Sequence, residues 1–459
     1  MTTAAAGIIL SSTFIAINMP YRQTSEIIDN FLPDVNRLTT RQSCCYLALE
    51  QRGKSGNDLK VPLPRPRILT RAAQRRDIPR NPQHHKRGGC RLINFLTLSG
   101  FLGAGKTTTL VAAAKLLQSR GSRVAVITND QGTELIDTQL ARSAIAQAGE
   151  VTGGCFCCRF EDLLTVAHRL VDEHGVDTLL AEAVGSCTDL QATVIRPLSA
   201  HYGDSFTPAP LVVVVEPERL QTLRTTLPLD DTDSDLSYLF GKQLQEADVI
   251  ALNKVDLLGE DEAAALLADL RDRYPTATVL GYSARSGDGL DQFVSHWLGP
   301  SPAGRDLEID YDRYANAEAA LAWLNQSLTV TAAGGFDPDA WARSLLEHLS
   351  GAAARSGWMI GHVKISLESA AVLTKMSVTT SGGEPTVDRA AGTRFTEAEV
   401  RINARVACEP AELDEAVAEA VNTVTALTGT LAFQHAGVPS FKPGYPQPTY
   451  RIPSGAFPG

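Results

Sequence analysis

Three cysteines fall within four residues, Cys155, Cys157 and Cys158, directly after Gly153-Gly154. Thiolates at positions i, i+2 and i+3 converge on one soft ion when the chain turns, and the glycines permit that turn. Three sulfurs leave one tetrahedral position for water, another side chain or a ligand from a client protein. Zn²⁺ suits such a site best, with Cu⁺ and Co²⁺ as further soft candidates. A redox or sensor role for the thiols stays open. Cys187 lies nearby and reads as an ordinary cysteine in preference to a fourth ligand.

A second constellation handles phosphate. Gly100-x-x-x-x-Gly105-Lys106-Thr107 follows an apolar run and precedes a helical stretch. Gly103, Ala104, Gly105, Lys106, Thr107 and Thr108 would cradle a nucleotide, with backbone N–H groups and a helix N-terminus facing its phosphates. The Lys106 ammonium would reach the β- and γ-phosphates, and the Thr107 hydroxyl would ligate Mg²⁺. Asn129-Asp130-Gln131-Gly132 stands where a nucleotide-sensing loop begins. Asp130 is placed to contact Mg²⁺ or the attacking water, and Glu134 to add an oxygen ligand. Glu182 ends another apolar run and would face the γ-phosphate side.

A third pattern reads the base. In Asn253-Lys254-Val255-Asp256 the Asp256 carboxylate can accept from guanine N1–H and N2–H₂ together. Adenine offers no such pair, which points to GTP and disfavours an ATP-dependent kinase. Ser283-Ala284 falls where a second base-contacting loop belongs.

These residues need a scaffold, and the apolar patterning describes one. Residues 92–98, 124–128, 178–181, 211–215, 248–252 and 278–282 read as strands, several continuously apolar and so buried on both faces. Helices are expected at 106–119, 161–174, 261–273 and 291–298. The alternation predicts an open, mostly parallel α/β sheet over residues 92–300, without fixing strand order. After the linker-like Gly299-Pro300-Ser301-Pro302, residues 301–459 read as a smaller α+β domain. Its helices are expected at 341–349 and 410–425 and its strands at 361–367, 371–379 and 400–406, with an extended tail from Val438.

The 459-residue chain carries a net charge of −10. Residues 1–91 contain 15 Lys/Arg and 6 Asp/Glu, an excess of +9, so the remainder holds −19. The acidic body argues against nucleic-acid binding. The basic leader lacks sustained periodicity and is expected to be disordered. It is a flexible leader, an Arg-rich transit segment or the product of a start chosen too early, the last being favoured. No run approaches the roughly 20 apolar residues of a membrane span. Crowded cysteines suit metal binding in a reducing compartment, here the cytoplasm, better than a disulfide framework.

The chain resembles the CobW-like P-loop GTPases, relatives of the hydrogenase and urease nickel-insertion GTPases (the CobW/HypB/UreG group). The resemblance is carried by Gly100 through Thr108, Gly154-Cys155-Phe156-Cys157-Cys158, Glu182-x-x-Gly185 and Asn253-Lys254-Val255-Asp256. It implies a GTP-hydrolysing metallochaperone that delivers zinc, or another metal such as cobalt, to a client protein. It places Asp130 in the first switch and Glu182 in the second, near Mg²⁺ and the nucleophilic water, with Lys106 as the third catalytic group. The first switch departs from the family's usual Asn-Glu-Phe-Gly. A regulatory GTP-binding module that senses metal or redox state without transfer is the alternative.

Overall fold

The computed structural model describes residues 92–454 apart from 131–135, 137–140, 142–144, 146, 226–232, 302–305 and 371. It also describes the backbone of an antiparallel hairpin, Ala6–Leu10 with Thr13–Ile17. The rest of the leader, Gln131-Gly132 and Glu134 lie outside the described residues.

One sheet is eight-stranded and parallel throughout. Its strands are β1 (Ile93–Gly100), β2 (Val124–Asn129), β3 (Ala148–Val151), β4 (Thr178–Glu182), β5 (Phe206–Pro208), β6 (Val212–Val215), β7 (Val249–Leu252) and β8 (Thr278–Gly281). The order is β8-β7-β6-β1-β4-β2-β3, with β5 beside the start of β1. Successive side chains on a strand point to opposite faces, so each apolar strand supplies two cores. Leu96 and Leu98 of β1, Val124 and Val126 of β2, and Leu180 of β4 enter one cluster. Phe95, Ala125, Ile127, Leu179 and Ala181 enter the other. Such strands need helices on both faces. These include α1 (Lys106–Ser119), α2 (Phe160–His174) and, later, α3 (Asp235–Glu246).

The strand order decides where the loops meet. β1 lies between β4 and β6, and β4 lies between β1 and β2. The loops leaving the carboxyl ends of β1, β2 and β4 therefore converge, the position where open α/β sheets bind ligands.

The second sheet is six-stranded and antiparallel. It comprises β9 (Ala322–Phe336), β10 (Ile360–Ser369), β11 (Val372–Val378), β12 (Thr386–Arg389), β13 (Phe395–Val406) and β14 (Leu431–Gln434), in the order β12-β11-β10-β13-β9-β14. Helices Pro338–Ser356 and Pro410–Thr428 share its apolar core. Leu413, Val417, Ala420, Val421 and Val424 form the buried stripe expected from their spacing.

The long strand β9 is absent from the sequence reading. Asn325, Gln326, Ser327 and Thr329 interrupt its apolar pattern, and its two partners, β13 and β14, come from far along the chain. Two further pieces of residues 301–459 run back to the parallel sheet's helices. One is α4 (Tyr311–Ala319), whose Arg313 Nε donates to Asp235 Oδ1 of α3 at 2.8 Å. The other is the tail, which exchanges backbone hydrogen bonds between Phe441 and Trp323 and then reaches the cysteine turn.

Two arginines clamp the sheets together. Arg219 is buried and donates from one guanidinium nitrogen to the carbonyls of Ile360, Gly361 and Thr379 at 2.8–2.9 Å. Arg405 reaches the other way, from β13 to Asp130 after β2.

Candidate functional site

A cavity of about 770 Å³ opens over the loop between β1 and α1. Gly105 stands at the N-cap of α1 with φ 87°, and no side chain caps the helix. The first N–H groups of α1 therefore lack a side-chain partner from the cap, which suits an anion. A Cβ on Gly105 would stand 2.5 Å from Asn253 Nδ2, so only glycine fits that left-handed position.

Lys106 is buried and donates to the carbonyls of Gly100 at 3.0 Å and Phe101 at 3.1 Å. Its ammonium thus rests against the loop that bears it. Thr107 Oγ1 donates to Glu182 Oε1 at 3.0 Å across the β1/β4 crevice. Hydroxyl and carboxylate oxygens side by side form the hard donor set that magnesium takes.

Gly185 explains the spacing Glu182-x-x-Gly185. A Cβ there would lie 2.7 Å from Leu102 Cδ2 and 2.9 Å from Lys106 Nζ. Gly185→Ala is expected to displace the lysine and lower nucleotide turnover roughly 10-fold or more, since small misplacements of a positioned group are costly. Steady-state nucleotide hydrolysis checks this, and an unchanged rate would show that the lysine has room to move.

Asn253, Lys254, Asp256, Ser283 and Ala284 also line the cavity. Asn253 bridges two loops: Nδ2 donates to Ala104 O at 2.9 Å, and Oδ1 accepts from Ala284 N at 3.0 Å. Ser283 Oγ accepts from Ser286 N at 3.0 Å, tightening its own turn. Lys254 adopts φ 62° and stands 3.6 Å from Glu216 Oε2. Asp256 is exposed and lines the cavity. Gly103 and Thr108 line it too.

Asp130 also lines the cavity, but its carboxylate has a partner that the sequence reading lacks. Both oxygens accept from Arg405 Nη2 at 2.8 Å. The Arg405 guanidinium stacks over Trp323 at 4.1 Å, and its side chain is 1% exposed. The structure thus brings Thr107 and Glu182 together and holds Asp130 towards the second sheet. His362, Lys364 and Lys375 of that sheet line the cavity too. No local pattern flags them, because only pairing of β10, β11 and β13 sets them side by side.

The cysteine turn sits one loop away. Gly153 and Gly154 take φ 74° and 154°. Cys155 O then accepts from Cys158 N at 3.0 Å and Arg159 N at 2.9 Å, folding the thiols onto one side. Asn129, at the end of β2, braces the turn: Nδ2 donates to Val151 O and Gly154 O, and Oδ1 accepts from Phe156 N. The sulfurs of Cys155 and Cys157 are 2.7 Å apart, Cys155 and Cys158 3.4 Å, and Cys157 and Cys158 3.8 Å. Bonds of about 2.3 Å to a tetrahedral zinc would place sulfurs about 3.8 Å apart, so small outward shifts make room for the ion. Among the described residues, this is the one group of three or more Cys, His, Asp or Glu that could hold a metal ion.

The tail covers this turn. Gln447 N donates to Cys158 Sγ at 3.2 Å, and Thr449 N to Cys157 O at 2.8 Å. Tyr450 packs edge-on against Phe160.

Cys187 is wholly buried, one of the two placements expected of an ordinary cysteine there. Hydrogen bonds to Cys155 and Cys158, with burial, push Cys157 well above its ordinary range. The hydrogen bond to Cys155 pushes Cys158 up to about 11. Burial alone would raise Cys187, but hydrogen bonds from Cys155 and Cys157 outweigh it and bring it down to about 6.

The segment after Cys187 is anchored by a buried carboxyl. Thr188 Oγ1 donates to Glu246 Oε1 at 3.0 Å. Burial, with the Asp189 charge, pushes Glu246 up from 4.5 to about 8. A raised folded-state value means that its stabilising contribution is complete below about 4.5 and lost as pH rises through about 8. Glu246→Gln is expected to remove up to about 1 kcal/mol of destabilisation per pH unit across that window. Urea unfolding at pH 5, 6.5 and 8 checks it. Parallel pH slopes in the two proteins would refute a buried, proton-binding Glu246.

A parallel sheet and a glycine-bearing loop on a helix N-terminus together define a P-loop nucleotide-binding fold. Residues 94–280 match the CobW/HypB/UreG nucleotide-binding domain. Zinc chaperone CobW of Pseudomonas aeruginosa is 30% identical over 218 residues, 41% of this chain and 56% of that protein. Zinc chaperone YjiA of Escherichia coli is 29% identical over 196 residues, 41% of this chain and 57% of that protein. Zinc-regulated GTPase metalloprotein activator 1 of Dictyostelium discoideum is 29% identical over 211 residues, 40% and 44% of the two chains. The chain spans about half the length of these relatives. Among solved structures, Zn(II)-bound YjiA GTPase from E. coli gives a TM-score of 0.31 at 18% identity, covering 72% of this chain and 99% of that one. HypB from Helicobacter pylori in complex with nickel gives 0.31 at 18%, covering 45% and 85%. Among the described residues, no helix is long and apolar enough to cross a membrane.

Proposed function

We propose that this chain is a GTP-hydrolysing metallochaperone that carries zinc on Cys155, Cys157 and Cys158 and delivers it to a client protein in a reducing compartment such as the cytoplasm. The observation that carries this reading is the junction at the end of β2. Asn129 braces the cysteine turn through three hydrogen bonds, and the next residue, Asp130, lines the nucleotide cavity. A change at the γ-phosphate therefore acts on the strand end that shapes the metal site. The names of the zinc chaperones matched by the domain support zinc as the cargo.

In this reading Gly103 to Thr108 bind the phosphates, and Asn253, Asp256, Ser283 and Ala284 hold the guanine. Lys106 leaves the carbonyls of Gly100 and Phe101 for the β- and γ-phosphates. Thr107 would hold magnesium with Glu182 close by, and the ion would neutralise phosphate charge. Glu182 orients the attacking water. Release of Asp130 from Arg405 would bring a second carboxylate toward the nucleotide. Coupling is reciprocal: if GTP tightens zinc binding, zinc tightens GTP binding by the same factor.

Anaerobic zinc titration of reduced protein with a non-hydrolysable GTP analogue, with GDP and with neither tests the switch. Zinc affinity is expected to differ between the two nucleotide states. Equal affinities would leave a sensor without nucleotide-driven delivery, and zinc transfer to apo-client proteins separates chaperone from sensor.

A further inference from the structure

The run Pro446-Gln447-Pro448-Thr449-Tyr450-Arg451-Ile452 crosses the outer side of the cysteine turn. Cys155 and Cys157 are 3% and 1% exposed, whereas Cys158 is half-buried. Solvent therefore reaches the sulfurs best at Cys158, where this run lies. The sequence sets its course. Proline has no N–H and holds φ in a narrow range, and a residue before proline is extended. Gln447 stands between two prolines, so its amide is the one backbone donor of residues 446–448, and it donates to Cys158 Sγ at 3.2 Å. Thr449 grips the backbone of the turn: N donates to Cys157 O at 2.8 Å and Oγ1 to Cys158 O at 3.3 Å. Tyr450 sets its ring edge-on to Phe160 with centroids 5.4 Å apart, and its hydroxyl donates to Glu161 Oε1 at 3.0 Å. Beyond it, Arg451 Nε donates to Asp189 Oδ2 at 2.7 Å and Ile452 N to Ala192 O at 2.9 Å. Before it, Phe441 and Trp323 exchange backbone hydrogen bonds at 2.8 and 3.0 Å. The run is thus tied at both ends and rests on the thiols in between. Only Pro446 of residues 446–452 is buried. A segment held by exposed hydrogen bonds and few apolar contacts belongs to the easily opened part of a fold.

We propose that residues 446–452 are a displaceable strap that forms the outer wall of the cysteine site. Seated, the strap directs the Cys158 sulfur through the Gln447 amide and shields it. Lifted, it exposes Cys158 to a ligand from a client. The proposal rests on the zinc reading above and adds the step that uncovers the cargo. Three thiolates leave one tetrahedral position on zinc for a further ligand. Cys155 and Cys157 belong to the apolar core with Phe156 and Phe160, so an incoming ligand approaches from the Cys158 side and meets the strap first. Each thiolate that then lets go of the ion takes up a proton.

The test compares the full chain with its variant Thr449→Pro/Tyr450→Ala, which removes the amide bond to Cys157 and the ring contact. Neither residue is buried, so both cores are left as they are. In the reduced, metal-free proteins, alkylation of Cys158 by iodoacetamide is followed by peptide mass spectrometry. It is expected to run about 10-fold or more faster in the variant, the combined effect of one lost backbone hydrogen bond and one lost ring contact. In the zinc-loaded proteins, loss of the ion to excess chelator is expected to speed up by a similar factor. Tyr450→Phe keeps the ring and is expected to stay close to the original rate in both assays. Equal alkylation rates in the full chain and the double variant would overturn the strap and leave the zinc site standing. Faster alkylation with unchanged zinc loss would overturn its part in transfer. Failure of the unaltered chain to hold zinc would overturn the zinc reading and the transfer step with it, while the alkylation rates still decide whether the strap covers the thiols.

Discussion

Cys155→Ala/Cys157→Ala/Cys158→Ala is expected to weaken zinc binding by at least ~10³-fold, beyond the 10–100-fold cost of losing an outer-shell partner. The reason is that the turn contributes its three sulfurs as a unit, already within 3.8 Å of one another. GTP affinity without zinc should stay within a few-fold, since Asn129 braces the turn through backbone groups that the substitutions leave in place. Competition against a chromophoric chelator measures the zinc term, and fluorescent-nucleotide titration measures the other. Zinc affinity that survives the triple substitution would place the metal elsewhere and remove the link between nucleotide and cargo.

Asp256→Ala is expected to raise the GTP dissociation constant by roughly 10²–10³-fold, the cost of two hydrogen bonds to a charged acceptor. ATP binding should barely change, because adenine presents no paired donors to that carboxylate. Selectivity for GTP over ATP falls by the same factor as the GTP affinity. The geometry supports this reading: Asn253 ties the guanine loop to both Ala104 and Ala284, so the substitution at the exposed Asp256 leaves the loop's bracing intact. Calorimetric titration with both nucleotides checks it. An unchanged ratio would mean that other groups read the base.

Much of the parallel domain was legible because its signals are local. The run of valines in β6 can be satisfied only between two apolar layers, and the order strand, glycine loop, helix makes a phosphate site with few competitors. The helix Lys106–Ser119 has the bounds that its pattern predicts. Other elements carried no such signal. Strand β9 mixes polar residues with apolar ones because one face meets the second core and the other approaches the parallel domain. Helix α3 is visible only through its tertiary role, with Gln243 and Glu246 buried against the loop after β4.

The sequence by itself determined the motifs on offer: a phosphate loop, the segment Asn253-Lys254-Val255-Asp256 and a turn with three closely spaced cysteines. Each is a short-range pattern, held within a few residues, so spacing alone exposes it. Only the tertiary structure decided which groups share a site. The order β1-β4-β2 brings Glu182 to Thr107. The second sheet brings Arg405 to Asp130, a separation of 275 residues, and the tail returns to cover Cys158. Such pairings depend on strand order and chain return, which no local pattern encodes.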